Sequence, residues 1–486
     1  MQFCLIGHNF RYEIEKLIRI FLPFEKIEYF DNLQNGEFCL VSEFLGDTAK
    51  ATLNFGGKVF ESLKNIENKN DNNEKDRELF LALAVYDCFT AATGYFPDWG
   101  ILTGIRPAKL FSRLKKERGE TETQNYFANY LKVNPKKLSL CKETLRGEGE
   151  ITALSSAQSF SLYISIPFCP TRCSYCSFVS HSVESAKKLM PEYVKLLCDE
   201  LIVTSKIAKE HNLKLETIYI GGGTPTTLSS SDLTVIMKTV NDNFDLRNLR
   251  EYTVEAGRPD TITREKLLAI KSGGATRISI NPQTMNDDVL RVIGRNHTSK
   301  QTIDAFNLAR ECGFNNINTD LIAGLPTDTF ESFKDTLNAV LELHPESVTV
   351  HSLSMKRSSK MTRLGEIPEI EVGKTASRMV DFALEKLREN EIFPYYMYRQ
   401  SKTVGNLENV GYSKRGFECL YNVFIMDETH TILSCGASAV TKLRQPNGDY
   451  IERIFNFKYP FEYINNFEEI INRKKRIGEF YNTYKT

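Results

Sequence analysis

Between about Ser161 and Met355 the sequence alternates apolar strand-like segments with amphipathic helical segments, and this alternation constrains the fold more than any other feature. The strand-like segments read LYISI, ETIYI, EYTVEA, TRISIN, INTDLIA and SVTVHSL. The segments between them carry apolar residues at helical spacing, as at Leu233, Ile236 and Val240. Six such units with nearly continuous apolar strands predict a parallel sheet covered by helices, either open or curved into a barrel.

Polar motifs follow the predicted strands. Sheets of this kind hold their ligands at the C-terminal ends of the strands. CPTRCSYC follows the first strand, and GGGTPT follows the second. Glu255 ends the third strand, Gln283 follows the fourth, and Asp320 lies on the fifth. Their joint placement predicts one functional site at one rim of the sheet.

The three cysteines of CPTRCSYC carry the strongest chemical signal. They are Cys169, Cys173 and Cys176. A structural zinc site normally takes four protein ligands, so zinc would need a further group such as His181. Iron–sulfur clusters also usually take four thiolates, and a cubane held by three leaves one iron open to another ligand. The spacing CxxxCxxC is unusual for a zinc finger, which favours the iron–sulfur cluster and leaves zinc as the alternative.

The glycine run after the second strand is interpreted as a cradle for a small ligand. Gly221, Gly222 and Gly223 lack β-carbons, so a ligand can approach the main chain closely. Glycines after a strand also occur in dinucleotide-binding fingerprints. GGGTPTTLSSSDL does not match GxGxxG, however, and a dinucleotide site is the weaker interpretation.

Composition restricts the functional class. The 62 basic residues balance the 62 acidic ones, so nucleic acid is not an expected partner. No apolar run reaches the length of a membrane span, and the first residues lack the layout of a signal peptide, so we expect a cytoplasmic protein without a membrane span. The cysteines outside CPTRCSYC are then expected to be mostly buried apolar residues and not disulfides. Those in apolar runs are Cys4, Cys39, Cys88, Cys198 and Cys312.

At 486 residues the chain is too long for one ordinary domain. We predict an N-terminal α/β and helical module over residues 1–150, the motif-bearing sheet over 151–360, and a smaller C-terminal α/β domain over 361–486 that closes over the rim. The tract KNIENKNDNNEKD predicts an exposed loop, and RGEGEITALSSAQS, residues 146–159, predicts a linker. Pro107 predicts a helix start, with Arg106 before it either solvated or binding a carboxylate.

The motifs together resemble those of the radical S-adenosylmethionine (SAM) superfamily. The resemblance rests on CxxxCxxC with Tyr175 before its last cysteine and on a GGG-type motif after the next strand. Within the superfamily, YISIPFCPTRCSYC, IYIGGGTPT and DLIAGLP are similar to the oxygen-independent coproporphyrinogen III oxidases and their haem-chaperone relatives. TGIRPAKL and VGNLENVGYSKRGFECLYN look like the HemZ-type coproporphyrinogen dehydrogenase branch. The resemblance implies an α/β fold with a partial (β/α)6 TIM-like radical SAM barrel.

The resemblance also implies two cofactors. Cys169, Cys173 and Cys176 would hold a [4Fe–4S] cluster, and S-adenosylmethionine would bind the open iron. The residues at matching cofactor-contacting positions are Tyr163, Tyr175, Gly222, Gly223, Thr224, Glu255, Gln283, Arg295, Asp320 and Ser354. The implied chemistry is reductive cleavage of S-adenosylmethionine to a 5′-deoxyadenosyl radical, which abstracts hydrogen from a propionate of coproporphyrinogen III. Loss of carbon dioxide and one electron then leaves a vinyl group, a step of haem and porphyrin biosynthesis.

The implied partners are a tetrapyrrole substrate and a flavodoxin- or ferredoxin-like electron donor. The substrate's carboxylates need cations, and the candidates near the rim or in the tail are Arg258, Arg291, Lys356, Arg357, Lys414 and Arg415. Phe178 stands where family members with demonstrated decarboxylase chemistry carry a further cysteine. The haem-chaperone branch carries an HNxxYW segment where this chain has YNVFIMDETH. Asn422 is kept, but the histidine directly before it and the tryptophan are absent. A haem-binding chaperone or another tetrapyrrole-acting radical protein therefore remains an alternative.

Overall fold

The computed structural model describes residues 1–30, 36–66, 73–104, 106–176, 181–355, 370–400 and 402–484. Within them the chain forms two compact units. The first contains Met1–Lys142, the segment Tyr398–Glu408 and the beginning of the helix that starts at Ile370. The second contains the remaining described residues. The domain boundaries predicted near residues 150 and 360 stay predictions.

The first unit contains a five-stranded sheet in the order β2-β1-β3-β4-β5. Its strands are β1 Gln2–Ile6, β2 Glu28–Phe30, β3 Phe38–Leu45, β4 Thr48–Phe55 and β5 Lys58–Asn65. The helices in this part of the chain are α1 Arg11–Phe21, α2 Asn73–Thr93, α3 Pro107–Arg118, α4 Glu120–Asn125, a π-helical turn Tyr126–Tyr130 and α5 Pro135–Thr152. Helix α2 ends at Gly94 in the left-handed conformation, and α3 starts at Pro107 as predicted. Residues 67–72 of the predicted polar loop lie outside the described residues.

Helix α5 corrects the predicted linker at residues 146–159, because the helix continues to Thr152. Gly147 lies inside it, against the main chain of Tyr395. A β-carbon at Gly147 would come within 3.0 Å of the Tyr395 Cα. The glycine therefore serves close packing and not a flexible connection.

The second unit is built on an eleven-stranded sheet whose six central strands run parallel in chain order. In this part of the chain the strands are β6 Ser159–Ile166, β7 Phe168–Cys169, β8 His181–Ser182, β9 Lys214–Gly222, β10 Glu251–Gly257, β11 Arg277–Ile280, β12 Ile317–Ala323 and β13 Ser347–Ser352. The helices are α6 Val183–Ala186, α7 Met190–Glu210, α8 Ser230–Asn243, α9 Arg264–Ser272, α10 Asp287–Val292, α11 Ser299–Glu311, α12 Phe330–Glu342 and α13 Ile370–Glu389. The short strands β7 and β8 pair with each other. The other six strands pair in parallel and confirm the predicted βα units.

Strands from the C-terminal region extend the same sheet at both edges. At one edge β14 Phe393–Arg399 and β15 Glu408–Ser413 lie beyond β13, and β15 pairs antiparallel with β13. At the other edge β16 Thr431–Cys435 pairs parallel with β6, followed by β17 Val440–Arg444 and β18 Ile451–Phe455. The remaining helices are α14 Leu420–Asp427, α15 Pro460–Asn465 and α16 Phe467–Thr483. None of the described helices is long and apolar enough to cross a membrane.

The two faces of the parallel sheet differ in polarity because side chains alternate across a strand. The helix-facing residues are buried and apolar, for example Leu162, Ile218, Val254 and Ile278. The residues between them are mostly polar, and hydrogen bonds join several of them across the strands. The polar set includes Ser161, Tyr163, Thr217, Tyr219, Thr253, Glu255, Arg277, Ser279, Asn318, Asp320, Thr349 and His351. The strands therefore enclose a polar interior inside an apolar shell.

The cysteines in the apolar runs are buried and form no disulfides, which confirms the sequence interpretation. Their exposed fractions are 0% for Cys4, 4% for Cys39, 1% for Cys88, 9% for Cys198 and 7% for Cys312. They act as small apolar side chains in the cores.

Candidate functional site at the ends of the parallel strands

The cysteine loop, residues 169–176, lies directly beyond β6. Cys173 is buried, whereas Cys169 and Cys176 are partly exposed. The Ser174 N–H donates to the Ile293 carbonyl at 3.0 Å, which ties the loop to the segment after α10. All three thiols thus belong to one short loop held by main-chain bonds.

The glycine loop, residues 221–226, packs against the start of the cysteine loop. Gly223 N donates to Ile166 O at 2.8 Å, and Thr224 N donates to Phe168 O at 2.7 Å. A β-carbon on Gly223 would lie 2.5 Å from that Phe168 oxygen, so only glycine fits there. The Thr224 hydroxyl lies 3.6 Å from the Cys169 sulfur.

Glu255 reaches the same rim from the end of β10. Its Oε1 accepts a hydrogen bond from the Tyr219 hydroxyl at 2.6 Å, and the Gly222 N–H also donates to the carboxyl group. A β-carbon on Gly221 would come within 3.0 Å of the Glu255 Cδ, so the first glycine makes room for the carboxyl group. Burial raises the pKa of Glu255 to about 7, and the negative charge of Asp320 adds to the rise.

Asp320 has the opposite titration behaviour. Burial alone would raise its pKa, but the neighbouring His351 and a hydrogen bond from Asn318 lower the pKa below its ordinary value. Asn318 Nδ2 donates to Oδ1 at 2.7 Å, and His351 Nε2 lies 3.8 Å from Oδ2. Two nearby carboxyl groups therefore titrate far apart, as paired groups of functional sites often do. His351 was not predicted; its place near the end of the sixth strand was the available signal.

A buried cation lies beside the cysteine loop. Arg295 is 7% exposed, and its Nη1 donates to Asn281 O at 2.5 Å. Burial would lower the pKa of Arg295, but the neighbouring Tyr175 and Cys173 raise it, so the guanidinium stays charged. Its Nε has no hydrogen-bond partner among the described residues, nor has either ring nitrogen of His297. Because buried polar groups are normally paired, this unused capacity is typical of a polar ligand site.

Three stacked tyrosines lie below Glu255. The Tyr163 ring centroid is 6.3 Å from that of Tyr219 and 6.0 Å from that of Tyr421, and the last two are 4.5 Å apart. Tyr421 belongs to α14 and was not predicted, because no local pattern links that distant helix to the strands. Its helix closes the interior beneath the rim.

Gln283 and Ser354 complete the predicted set. Gln283 has a left-handed backbone with φ of 72° and is 6% exposed. It bridges to β12, because its N–H donates to Asp320 O at 2.9 Å and its carbonyl accepts from Ile322 N at 3.0 Å. Such a conformation costs energy in residues other than glycine and persists where the surroundings enforce it. Ser354 lies two residues beyond β13 and is partly exposed.

Arg258 and Arg291, two of the cations predicted to bind substrate carboxylates, differ in their exposure to solvent. Arg258 is 3% exposed and forms an ion pair with Asp260, so it is unavailable to a substrate carboxylate. Arg291 is exposed and pairs with Asp288 within α10.

The remaining predicted cations do not lie at this rim in the described residues. Lys414 N donates to Glu346 O at 2.9 Å, just before β13 begins, so Lys414 and Arg415 lie at the opposite end of the strands. Lys356 and Arg357 are outside the described residues, as is Phe178.

The donor set fits an iron–sulfur cluster better than a single metal ion. In the described part of the chain, no three His, Cys, Asp or Glu side chains converge on one ion. His181, which would complete a zinc set, packs edge-on against Tyr459 and Phe461. In a cubane each thiolate binds a different iron, so its ligands need not meet at one point. Three thiols beside a glycine cradle and a buried cation fit such a cluster with a small polar ligand.

Sequence comparison places the chain among known proteins. The Radical SAM superfamily model matches residues 163–340. The chain is 39% identical over 394 residues to the oxygen-independent coproporphyrinogen-III oxidase-like protein HemZ of Bacillus subtilis, covering 79% of this chain and 77% of that protein. It is 34% identical over 266 residues to the heme chaperone HemW of the same organism, covering 54% of this chain and 66% of that protein.

Structural comparison gives the same fold. The chain resembles the coproporphyrinogen III oxidase HemN of Escherichia coli, a radical SAM enzyme, with a TM-score of 0.52 and 22% identity. The match covers 66% of this chain and 72% of that one. At this identity the likeness supports the partial barrel fold alone.

Proposed function

This chain belongs to the radical SAM superfamily and, within it, to the oxygen-independent coproporphyrinogen-III oxidase-like family, and from that premise we propose that it is a radical enzyme acting on a tetrapyrrole. In the specific proposal, two propionate side chains of coproporphyrinogen III lose carbon dioxide and become vinyl groups. One observation carries the proposal: the cysteine loop, the glycine loop and the Glu255–Asp320 pair meet at one rim.

The cysteine loop is the proposed site of a [4Fe–4S] cluster, with Cys169, Cys173 and Cys176 as its thiolate ligands. S-adenosylmethionine is the proposed ligand of the remaining iron. When bound and reduced by one electron, these groups supply a carbon radical able to take a hydrogen atom from the substrate. The electron comes from a flavodoxin- or ferredoxin-like protein in this proposal.

The rim residues have distinct proposed roles in holding the cofactor. Glu255 already accepts bonds from Tyr219 and Gly222, and its remaining lone pairs suit ribose hydroxyls. The buried Arg295 suits a carboxylate, because its Nε has no protein partner in the described residues. The other proposed contacts come from Tyr163, Tyr175, Gly222, Gly223, Thr224, Gln283, Asp320 and Ser354.

The interior below the rim is filled by protein side chains. The tyrosine stack fills the space beneath Glu255, and α14 covers it from below. Bound cofactors would therefore face fixed protein groups on this side of the site.

A haem-binding chaperone is the second candidate, and the likeness to the heme chaperone HemW supports it. In that candidate the rim binds the same cofactors, but the tetrapyrrole is haem and is delivered unchanged. The two candidates differ in whether a propionate is converted.

Anaerobic turnover separates them. The reconstituted protein is mixed with a chemical reductant, S-adenosylmethionine and coproporphyrinogen III, and the products are analysed by mass spectrometry. The enzyme proposal predicts products that have lost one and then two carboxyl groups, together with 5′-deoxyadenosine. Formation of 5′-deoxyadenosine without any decarboxylated product, together with stoichiometric haem binding, would favour the chaperone.

A further inference from the structure

Arg258 joins the loop after β10 to the cysteine loop. Its Nε and Nη2 donate to the two oxygens of Asp260 at 3.0 and 2.7 Å. Its Nη1 donates to the Thr171 hydroxyl at 2.6 Å and to the Thr171 carbonyl at 3.4 Å. Thr171 lies between Cys169 and Cys173. Because the bidentate pair fixes a planar guanidinium, the remaining nitrogen holds Thr171 in a defined place.

The same loop is also joined to the glycine loop. The Thr261 hydroxyl donates to Arg258 O at 2.8 Å and lies 2.6 Å from the hydroxyl of Thr226. Thr226 is the last residue of the glycine loop, and its hydroxyl has one proton. It donates either to the Thr261 hydroxyl or to the Ala256 carbonyl, whose oxygen lies 2.5 Å away. With Thr226 donating to Thr261, a continuous chain of hydrogen bonds runs from the cysteine loop through Arg258 to the glycine loop.

The cysteine loop is held on its other side by the segment after α10. The Thr171 hydroxyl, which accepts from Arg258, donates to Gly294 O at 3.2 Å. A β-carbon on Gly294 would lie 3.7 Å from Arg172 O, an ordinary van der Waals contact, so this segment and the cysteine loop are direct neighbours. Thr171 is thus the point where bonds from both sides meet.

We propose that Arg258 is a positioning residue that sets the cysteine loop against the glycine loop before any cofactor binds. It does so through Thr171 and touches no reacting group, since its side chain is 3% exposed and fully engaged. The inference rests on the cluster site of the proposed function but not on the identity of the tetrapyrrole. A surface arginine would gain little from its ion pair, whereas a buried one organises its neighbours.

Thiol labelling of the metal-free chain tests the proposal without turnover. Cys173 is 8% exposed and Cys198 is 9% exposed, so the two report on the loop and on the general fold with similar starting protection. Iodoacetamide labelling is followed by peptide mass spectrometry. We expect Arg258→Met to label Cys173 roughly tenfold faster than the parent protein, because buried bonds to a charged group are lost. Cys198 should label at the parent rate.

Arg310→Met is the control variant for the type of contact, although the Arg310 side chain is 30% exposed whereas that of Arg258 is buried. Arg310 bonds the carboxyl group of Glu346 at 2.9 Å and the carbonyls of Phe314 and His344, so it makes the same kinds of contact at the opposite end of the strands. It should leave the Cys173 rate unchanged. Arg258→Lys keeps the charge but not the planar fork of the guanidinium. Its Cys173 labelling rate should lie between those of Arg258→Met and the parent.

Two outcomes would overturn the proposal: an unchanged Cys173 rate in Arg258→Met, or an equal acceleration in Arg310→Met. If Arg258→Met also accelerates the labelling of Cys198, the variant Thr171→Val is used in its place. A Cys173 labelling rate equal to that of the parent in Thr171→Val would also overturn the proposal. On the supporting result, the electron paramagnetic resonance spectrum of the reduced, reconstituted Arg258→Lys protein should also differ from that of the parent. Failure to decarboxylate coproporphyrinogen III would leave these labelling results intact, so the two proposals fail separately.

Discussion

The two ends of the six parallel strands treat their carboxyl groups differently. At the N-terminal end, Glu216 accepts from Arg250 at 3.0 Å, Glu251 from the Leu420 N–H at 2.8 Å, and Glu346 from Arg310 at 2.9 Å. At the C-terminal end, Glu255 and Asp320 face each other closely enough for the charge of Asp320 to raise the pKa of Glu255. At the N-terminal end each carboxyl group has its own donors, whereas at the C-terminal end two carboxyl groups lie close enough to affect each other's titration.

The difference favours the C-terminal end of the strands as the ligand-binding end. Charged groups that are paired within the protein contribute to folding and are unavailable to a ligand. Buried donors without a partner, and carboxyl groups close to each other, are expected at functional sites. The C-terminal end has such donors in Arg295 and His297, but Arg277 Nε at the start of β11 also has no partner among the described residues. The Glu255–Asp320 pair, and not the unpaired donors, therefore distinguishes the two ends. Burial and the charge of Arg295 lower the pKa of His297 to about 4, so its ring is neutral at physiological pH.

The largest expected effect is loss of the cluster from the C-terminal end. Cys173→Ala removes a proposed thiolate ligand, so the reconstituted protein should lose its brown cluster absorbance almost completely. Cys198→Ala changes a cysteine in the helix layer and should keep the absorbance. An unaffected spectrum in Cys173→Ala would contradict the ligand assignment.

A large loss of stability is expected at the N-terminal end. Glu251→Gln weakens the acceptor for the first N–H groups of α14 and should lower the free energy of unfolding by about 2 kcal/mol in urea titrations. The affinity for S-adenosylmethionine should not change. The exposed Glu331→Gln serves as the control and should change stability by less than about 0.5 kcal/mol. Equal losses in both variants would contradict a stabilising role of the buried Glu251 carboxylate.

The corresponding change at the C-terminal end should affect binding. Glu255→Gln keeps an acceptor for Tyr219 but removes the charge, so S-adenosylmethionine should bind the reconstituted protein roughly tenfold more weakly in equilibrium titrations. Glu251→Gln, at the other end of the same strand, is the matched control. Parent-like affinity in Glu255→Gln would argue against a cofactor contact there.

The remaining expected effect is a pH dependence of stability. Glu255 has its pKa raised from 4.5 to about 7, so in this window the folded protein retains a proton that the unfolded chain has released. The free energy of unfolding therefore falls as pH rises through the window and levels off above it. Glu255→Gln lacks this titration and should gain on the order of 2 to 3 kcal/mol relative to the parent between pH 4.5 and 7 in urea titrations. A constant difference across the window would contradict the raised pKa.

The parts of the fold that local patterns encode could be predicted. Alternation of apolar segments indicated all six parallel strands, and their ends indicated the rim that carries Cys173, Gly223 and Glu255. These predictions succeed because the period of a strand and the position of a motif after it are both local properties.

The rest depends on contacts distant in sequence. Tyr421 stacks on Tyr219 across about two hundred residues, and nothing near either one indicates the pairing. Arg258 is buried because it bonds Asp260 and, in another loop, Thr171. The sequence shows only its charge, and the charge suggested a substrate contact. The glycine at position 147 suggested a linker. Its close contact with Tyr395, which belongs to a strand far away in sequence, cannot be seen in the local pattern.

Hydrogen–deuterium exchange with and without S-adenosylmethionine tests most directly whether the C-terminal end of the strands is the functional end. The reconstituted protein is labelled anaerobically and analysed by peptide mass spectrometry. We expect slower exchange in peptides spanning residues 169–176, 221–226 and 255–261, with no change in α14 or around Glu346. Slower exchange in α14 with an unchanged cysteine loop would contradict the account.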